Sequence, residues 1–184
     1  LALIVNYSKT IATKENKEPV FSVLISFAFV VFGLTNVLQI ISSISNVTPI
    51  VSLTNFEYSV RYGYMYSLIL ILIPFVYHLV PKIYGREFIY GRLETLNAYL
   101  LGTSVIATLS LNTLIGINSG FSWNAGANAG NPTIYGEGFL ITWSLISTPY
   151  TFILFLSLLF LLSTFLFTLS TLKAIIGGSV TESE

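Results

Sequence analysis

Val20–Ile41 reads VFSVLISFAFVVFGLTNVLQII and carries no charged residue. As a helix rising about 1.5 Å per residue it reaches about 33 Å, enough to cross the roughly 30 Å hydrocarbon core of a bilayer. The neutral interval around it is longer still, from Glu18 to Glu57. Lys9, Lys14 and Lys17 ahead of it and Ser43-Ile44-Ser45 behind it also have the form of a cleaved secretory signal. Its length exceeds an apolar signal region of about 7 to 15 residues, so a retained span is expected. The first residue is Leu1 rather than Met, which fits processing, truncation or an unusual start codon alike.

The rest of the chain has the same character. Of its 184 residues 54% are apolar and 9% charged, with a mean hydropathy of +0.80, whereas soluble domains carry about 25% charge. The solvent is therefore lipid. All eight acids are Glu, the net charge is zero and there is no Cys. With no basic stripe to meet phosphates, nucleic acid is not an expected partner, and disulfides, thiolate metal sites and Cys nucleophiles are excluded.

Three further spans follow. Residues 64–80 lie between Arg61 and Lys82, with Pro74 inside, where a kink is expected, and Pro81 at the end; residues 98–117 form the third. The last neutral stretch, Gly138–Leu172, would be about 52 Å long as one helix. Either it breaks near Pro149, leaving residues 150–172 as the fourth span and Phe139–Thr148 as an interfacial or re-entrant piece, or it is one long, tilted and kinked helix. The expected fold is all-α: a polytopic membrane helix bundle of four transmembrane helices, the last long or broken near Pro149. It is one membrane domain over 1–184, with a cytoplasmic lead-in 1–19, spans at about 20–41, 64–80, 98–117 and 150–172, outer loops 42–63 and 118–137, an inner loop 81–97 and a tail 173–184. With the N-terminus inside, only Arg61 of the eight bases lies outside. The positive-inside rule then puts both termini in the cytoplasm, with the plasma membrane as the expected location.

The two outer loops differ in kind. In 42–63, Glu57 and Arg61 stand at i, i+4 among Tyr58, Tyr62, Tyr64 and Tyr66, which suggests a short helix anchored by aromatics at the interface. Asn46-Val47-Thr48 has the form of a glycosylation sequon, with Pro49 following. Residues 118–137 are rich in Gly, Asn and Ala, and six of the thirteen Gly lie between 116 and 138. A compact, turn-rich loop is expected there, serving as a connector, folding against a partner or lining an outward opening.

Chemistry is scarce. His78, the one histidine, excludes multi-His metal or haem sites within one chain; it is a candidate proton relay or single ligand of a shared site, or an interface histidine bonded to a carbonyl. No charged residue lies within an expected span, which argues against autonomous ion coupling, and no P-loop motif occurs. Neutral polar groups at Thr35, Asn36, Gln39, Thr103, Ser104, Thr108, Ser110, Asn112 and Thr113 are expected to bond across helix interfaces. With Gly33, Gly102, Ala107 and Gly116 they give the first and third helices small faces suited to close packing. The fourth span is Phe- and Leu-rich around its circumference and is expected to face lipid or an apolar partner.

The inner loop, Lys82 to Asn97, mixes charges, and Leu93, Leu96 and Leu100 recur at helical spacing, which predicts a short amphipathic helix along the cytoplasmic face. Arg86, Glu87, Gly91, Leu93, Glu94 and Leu96 stand there in an order that resembles the permease subunits of ABC-2 type transporters. In that family a cytoplasmic helix after the second span docks on a separate ATPase. The resemblance implies a partner-docking role for those six residues and a dimeric permease moving a lipid-like or hydrophobic solute. The residues themselves favour a non-catalytic subunit of a larger membrane assembly, respiratory-type or other, partnered by the bilayer and by other membrane subunits or further copies of itself. No cofactor and no enzymatic activity are expected. In its Ile, Leu, Tyr, Ser and Asn content the chain is similar to membrane proteins of thermoacidophilic archaea.

Overall fold

A computed structural model describes residues 19–52, 54–84, 92–128 and 132–177. The elements are α1 (Pro19–Ser42), α2 (Thr48–Val51), α3 (Asn55–Tyr84), α4 (Arg92–Asn128) and α5 (Pro132–Gly177). Pro19 and Pro132 each open a helix, where the missing N–H costs nothing. Four helices have stretches long and apolar enough to cross a membrane: Val20–Ser42, Asn55–Val80, Glu94–Ser122 and Ser147–Ile176. The protein is therefore an all-α polytopic membrane protein with four candidate spans.

Each helix outruns the span expected for it. Residues 57–66 are not a separate interfacial helix but the opening turns of α3, which starts behind Thr54, whose Oγ1 accepts the Phe56 N–H at 3.2 Å as an N-cap does. Pro81 does not close that helix, which continues to Tyr84. Arg92–Asn97 does not lie apart as an amphipathic helix; it is the first turns of α4. The expected turn-rich loop at 118–137 is helical as far as Asn128 and again from Pro132. Glycine costs a helix about 1 kcal/mol relative to alanine, but at 116 and 120 it permits backbone contact that any side chain would block, so packing overrides propensity. Of the two readings of the last stretch, the long unbroken helix is the one found, passing through Pro149.

The polarity of the packing is that of a membrane protein. Large apolar side chains point outward, among them Phe32, Met65, Phe75, Leu161 and Ile176, while Ala28, Thr35, Ser59, Ser67, Ser104, Thr108 and Ser163 are buried. In lipid, Leu gains nothing by leaving the solvent, so helices associate where small residues let them approach. The buried positions of α1, Val20, Leu24, Ala28, Val31 and Thr35, step by three and four as one helical face requires.

Contacts divide the chain into two units. The first comprises 1–30, 66–103 and 159–184; Leu24, Leu70, Tyr77, Ala98 and Leu101 are buried in it, and Phe27 sits where a Cβ on Gly102 would be. The second comprises 31–65 and 104–158. Its core cluster is Val51, Phe56 and Val60, flanked by Leu38, Val47, Ile50 and Ile117. There a Cβ on Gly63 would strike the Thr35 side chain, one on Gly116 the backbone nitrogen of Phe56, and one on Gly120 the carbonyl of Ile50. Gly33, expected to serve close packing, has nothing within 4 Å of such a Cβ.

Candidate functional site

In the first unit α5 packs by a narrow seam. Phe160, Ser163, Phe167, Ser170 and Ala174 recur at steps of three and four, the spacing of a coiled-coil seam. Phe160 meets Tyr66 edge-on at 5.5 Å between centroids and Phe167 meets Tyr77 at 4.7 Å. Between these rings lies a polar clasp on α4. The Ser163 hydroxyl donates toward Asn97 Oδ1 (2.6 Å) and toward the Asn97 carbonyl (3.1 Å), and Asn97 Nδ2 donates to the Ser163 carbonyl (3.1 Å). One turn away along α4 and two along α5, Ser170 hydrogen-bonds the Glu94 side chain, whose Oε2 is buried without a hydrogen-bond partner.

The residues singled out from sequence are placed unevenly. Glu94 turns to Ser170 on α5, whereas Leu96 is 62% exposed on the same helix. Leu93 is the second residue of α4, and Arg86, Glu87 and Gly91 lie outside the described residues. His78 is half-buried, its ring 5.8 Å from that of Phe21 at a 48° tilt. No group of three or more His, Asp or Glu side chains able to hold a metal comes together among the described residues.

The second unit has its own polar contacts. Asn55 Nδ2 donates to Tyr150 Oη at 2.5 Å and approaches Asn112 Oδ1 at 3.4 Å, joining residues of α3, α4 and α5. The Ser59 hydroxyl donates to the Leu109 carbonyl at 3.3 Å, and Tyr64 Oη to Asn36 Oδ1 at 3.4 Å. At the start of α3, Arg61 Nη2 pairs with Glu57 Oε1 at 2.6 Å, and the rings of Tyr58 and Tyr62 stack at 5.9 Å.

Cross-helix bonding by the neutral polar residues is partial. Thr35, Thr103, Thr108 and Thr113 turn back on carbonyls four residues earlier in their own helices, as short hydroxyls do. Asn36 and Asn112 do both, donating Nδ2 to carbonyls four residues back while Oδ1 accepts from Tyr64 and Asn55, and Ser59, Ser163 and Asn97 reach across. The Asn97–Ser163 clasp went unread in the sequence; its signal is a small polar residue recurring at seam spacing within a Phe/Leu helix.

No protein-family model matches the chain, and no curated protein or solved structure is detectably similar to it. The class that the fold defines is therefore the whole of the classification: an integral, multi-pass, all-helical membrane protein.

Proposed function

We propose that the chain is a non-catalytic integral membrane subunit that packs within a larger membrane protein assembly. The supporting observation is the form of α5. Its helix is unbroken over 46 residues, and its uncharged part, Gly138–Leu172, would be about 52 Å long as a straight helix. Immersing all of that in about 30 Å of hydrocarbon takes a tilt of about 55°, outside the range of about 0 to 40° seen for spanning helices. An upright helix instead carries roughly 20 Å of apolar surface beyond the bilayer core, and a neighbouring protein covers such surface. The same helix is spare within its own chain. In its most apolar stretch 6% of residues are buried, against 28, 33 and 44% in the other three spans.

Extraction of the intact protein with its surrounding native lipid, followed by subunit composition analysis, tests this. The expected result is one copy among different membrane proteins, with crosslinks from residues 139–165 to those neighbours. Recovery as a lone monomer sinks the proposal. Recovery as identical copies bound to a P-loop ATPase replaces it with the permease reading.

We infer the orientation from charge: seven of the eight bases fall on one side of four spans, which places both termini in the cytoplasm. The chain has no cysteine, so single substitutions report without background. Ser52→Cys is expected to react with a membrane-impermeant maleimide on intact cells, and Ser183→Cys only after lysis. The reverse pattern overturns the assignment.

A further inference from the structure

The ion pair at the start of α3 borders two open depressions. The larger, about 280 Å³, is bounded by Gln39 and Ser52 with Glu57 and Arg61, and floored by Phe56 and Val60. The smaller, about 240 Å³, lies against Thr54 and Tyr58 and shares the same pair. All of these residues belong to the second unit. The position matters: α1 ends at Ser42 and α3 begins at Asn55, so in a bilayer crossed by both helices the depressions fall near the headgroup level of one leaflet. Arg61 is the one base between Lys17 and Lys82. Its side chain is 75% exposed while one guanidinium nitrogen is held by Glu57.

An apolar floor, hydroxyl and amide groups on the rim and a fixed guanidinium suit an amphiphile whose polar end is an anion. Arg presents its planar fork to phosphate with two parallel N–H donors, and phosphate is the anion that a bilayer supplies at this depth. The Gln39 backbone carbonyl is occupied by the Ser42 and Ser43 hydroxyls, and Gln39 itself lines the larger depression. We propose that this depression binds the phosphate-bearing headgroup of a phospholipid, with the phosphate on Arg61 and the first acyl carbons over Val60 and Phe56. Glu57 holds the guanidinium in place and weakens the site's affinity for net negative headgroups.

Two substitutions break the same ion pair with opposite consequences. The full chain in mild detergent micelles is titrated with phosphatidylglycerol, with diacylglycerol of the same chains and with inorganic phosphate, and bound lipid per chain is read by native mass spectrometry. Wild type is expected to hold phosphatidylglycerol and not diacylglycerol. Arg61→Gln weakens retention about tenfold, the equivalent of one charge-assisted hydrogen bond. Glu57→Gln strengthens it, because a repelling carboxylate is gone. A loss of retention in both variants means that the ion pair acts only on structure and overturns the site. Equal binding of diacylglycerol overturns it as well, and inorganic phosphate binding as tightly as the lipid replaces the lipid with a soluble phosphate.

Discussion

Gly116→Leu is expected to cost about 3 kcal/mol or more of stability, read as a lower midpoint in denaturing-detergent titration of the purified protein. A Cβ at 116 falls on the backbone nitrogen and Cα of Phe56, and backbone has no rotamer through which to yield. Overpacking of a close contact costs about 1 to 3 kcal/mol where side chains can shift; here the whole 50–56 segment must move. Helix propensity runs the other way, since replacing Gly by Leu gains close to 1 kcal/mol. A net loss therefore isolates the contact. Gly33→Leu is the control: its Cβ direction is open, so only the propensity gain remains and the midpoint holds or rises. If both variants behave alike, α4 does not lie against Phe56 as described.

Ser163→Leu is expected to be nearly as damaging, at about 2 to 3 kcal/mol. Ser163 is fully buried, and its hydroxyl and carbonyl engage Asn97 in three ways. Leucine both overfills the seam and leaves Asn97 short of a partner. Ser163→Ala separates the two causes, because it fits the space and loses only hydroxyl bonds, which in membrane proteins are worth about 0.6 to 1.7 kcal/mol. Asn97→Ala is expected to cost a similar amount, and the Asn97→Ala/Ser163→Ala pair less than the sum, as residues sharing the same bonds do. An additive pair refutes the clasp.

Much of the architecture was legible because charge is so scarce. The intervals from Glu18 to Glu57 and from Glu94 to Glu137 each hold a span, and no packing detail is needed to see it. The Glu57–Arg61 pair was legible from i, i+4 spacing alone. Helix ends were not. Gly120, Gly126 and Asn128 argue for a loop in any local reading, yet α4 continues because Gly120 faces the Ile50 carbonyl, a contact 70 residues away in sequence. Pro149 argues for a break, yet in lipid an interrupted helix must find new partners for its backbone, and continuing is cheaper. The inner-loop residues show a different limit. Glu94 and Leu96 stand two positions apart, about 200° around the helix, so one turns to Ser170 on α5 and the other outward. That split was legible, since Leu93, Leu96 and Leu100 share a helical face that Glu94 does not; the partner that Glu94 finds on α5 was not. For the clasp, the seam spacing of Ser163 is in the string, but nothing there pairs it with Asn97 across 66 residues.

The back-bonding threonines bear on how the protein is made. With Thr35, Thr108, Thr164 and Thr168 already satisfied by carbonyls of their own helices, a span leaving the insertion machinery carries few polar debts into lipid. Those hydroxyls are bonded before one helix meets another. Biogenesis then divides into two stages, partition of separate helices and their later association, and the second stage is governed by shape at Gly63, Gly102, Gly116 and Gly120 and by a handful of asparagine bonds. A substitution that blocks one of those glycine contacts leaves an inserted, fully helical, unassembled chain, a substrate for membrane proteolysis rather than for cytosolic aggregation.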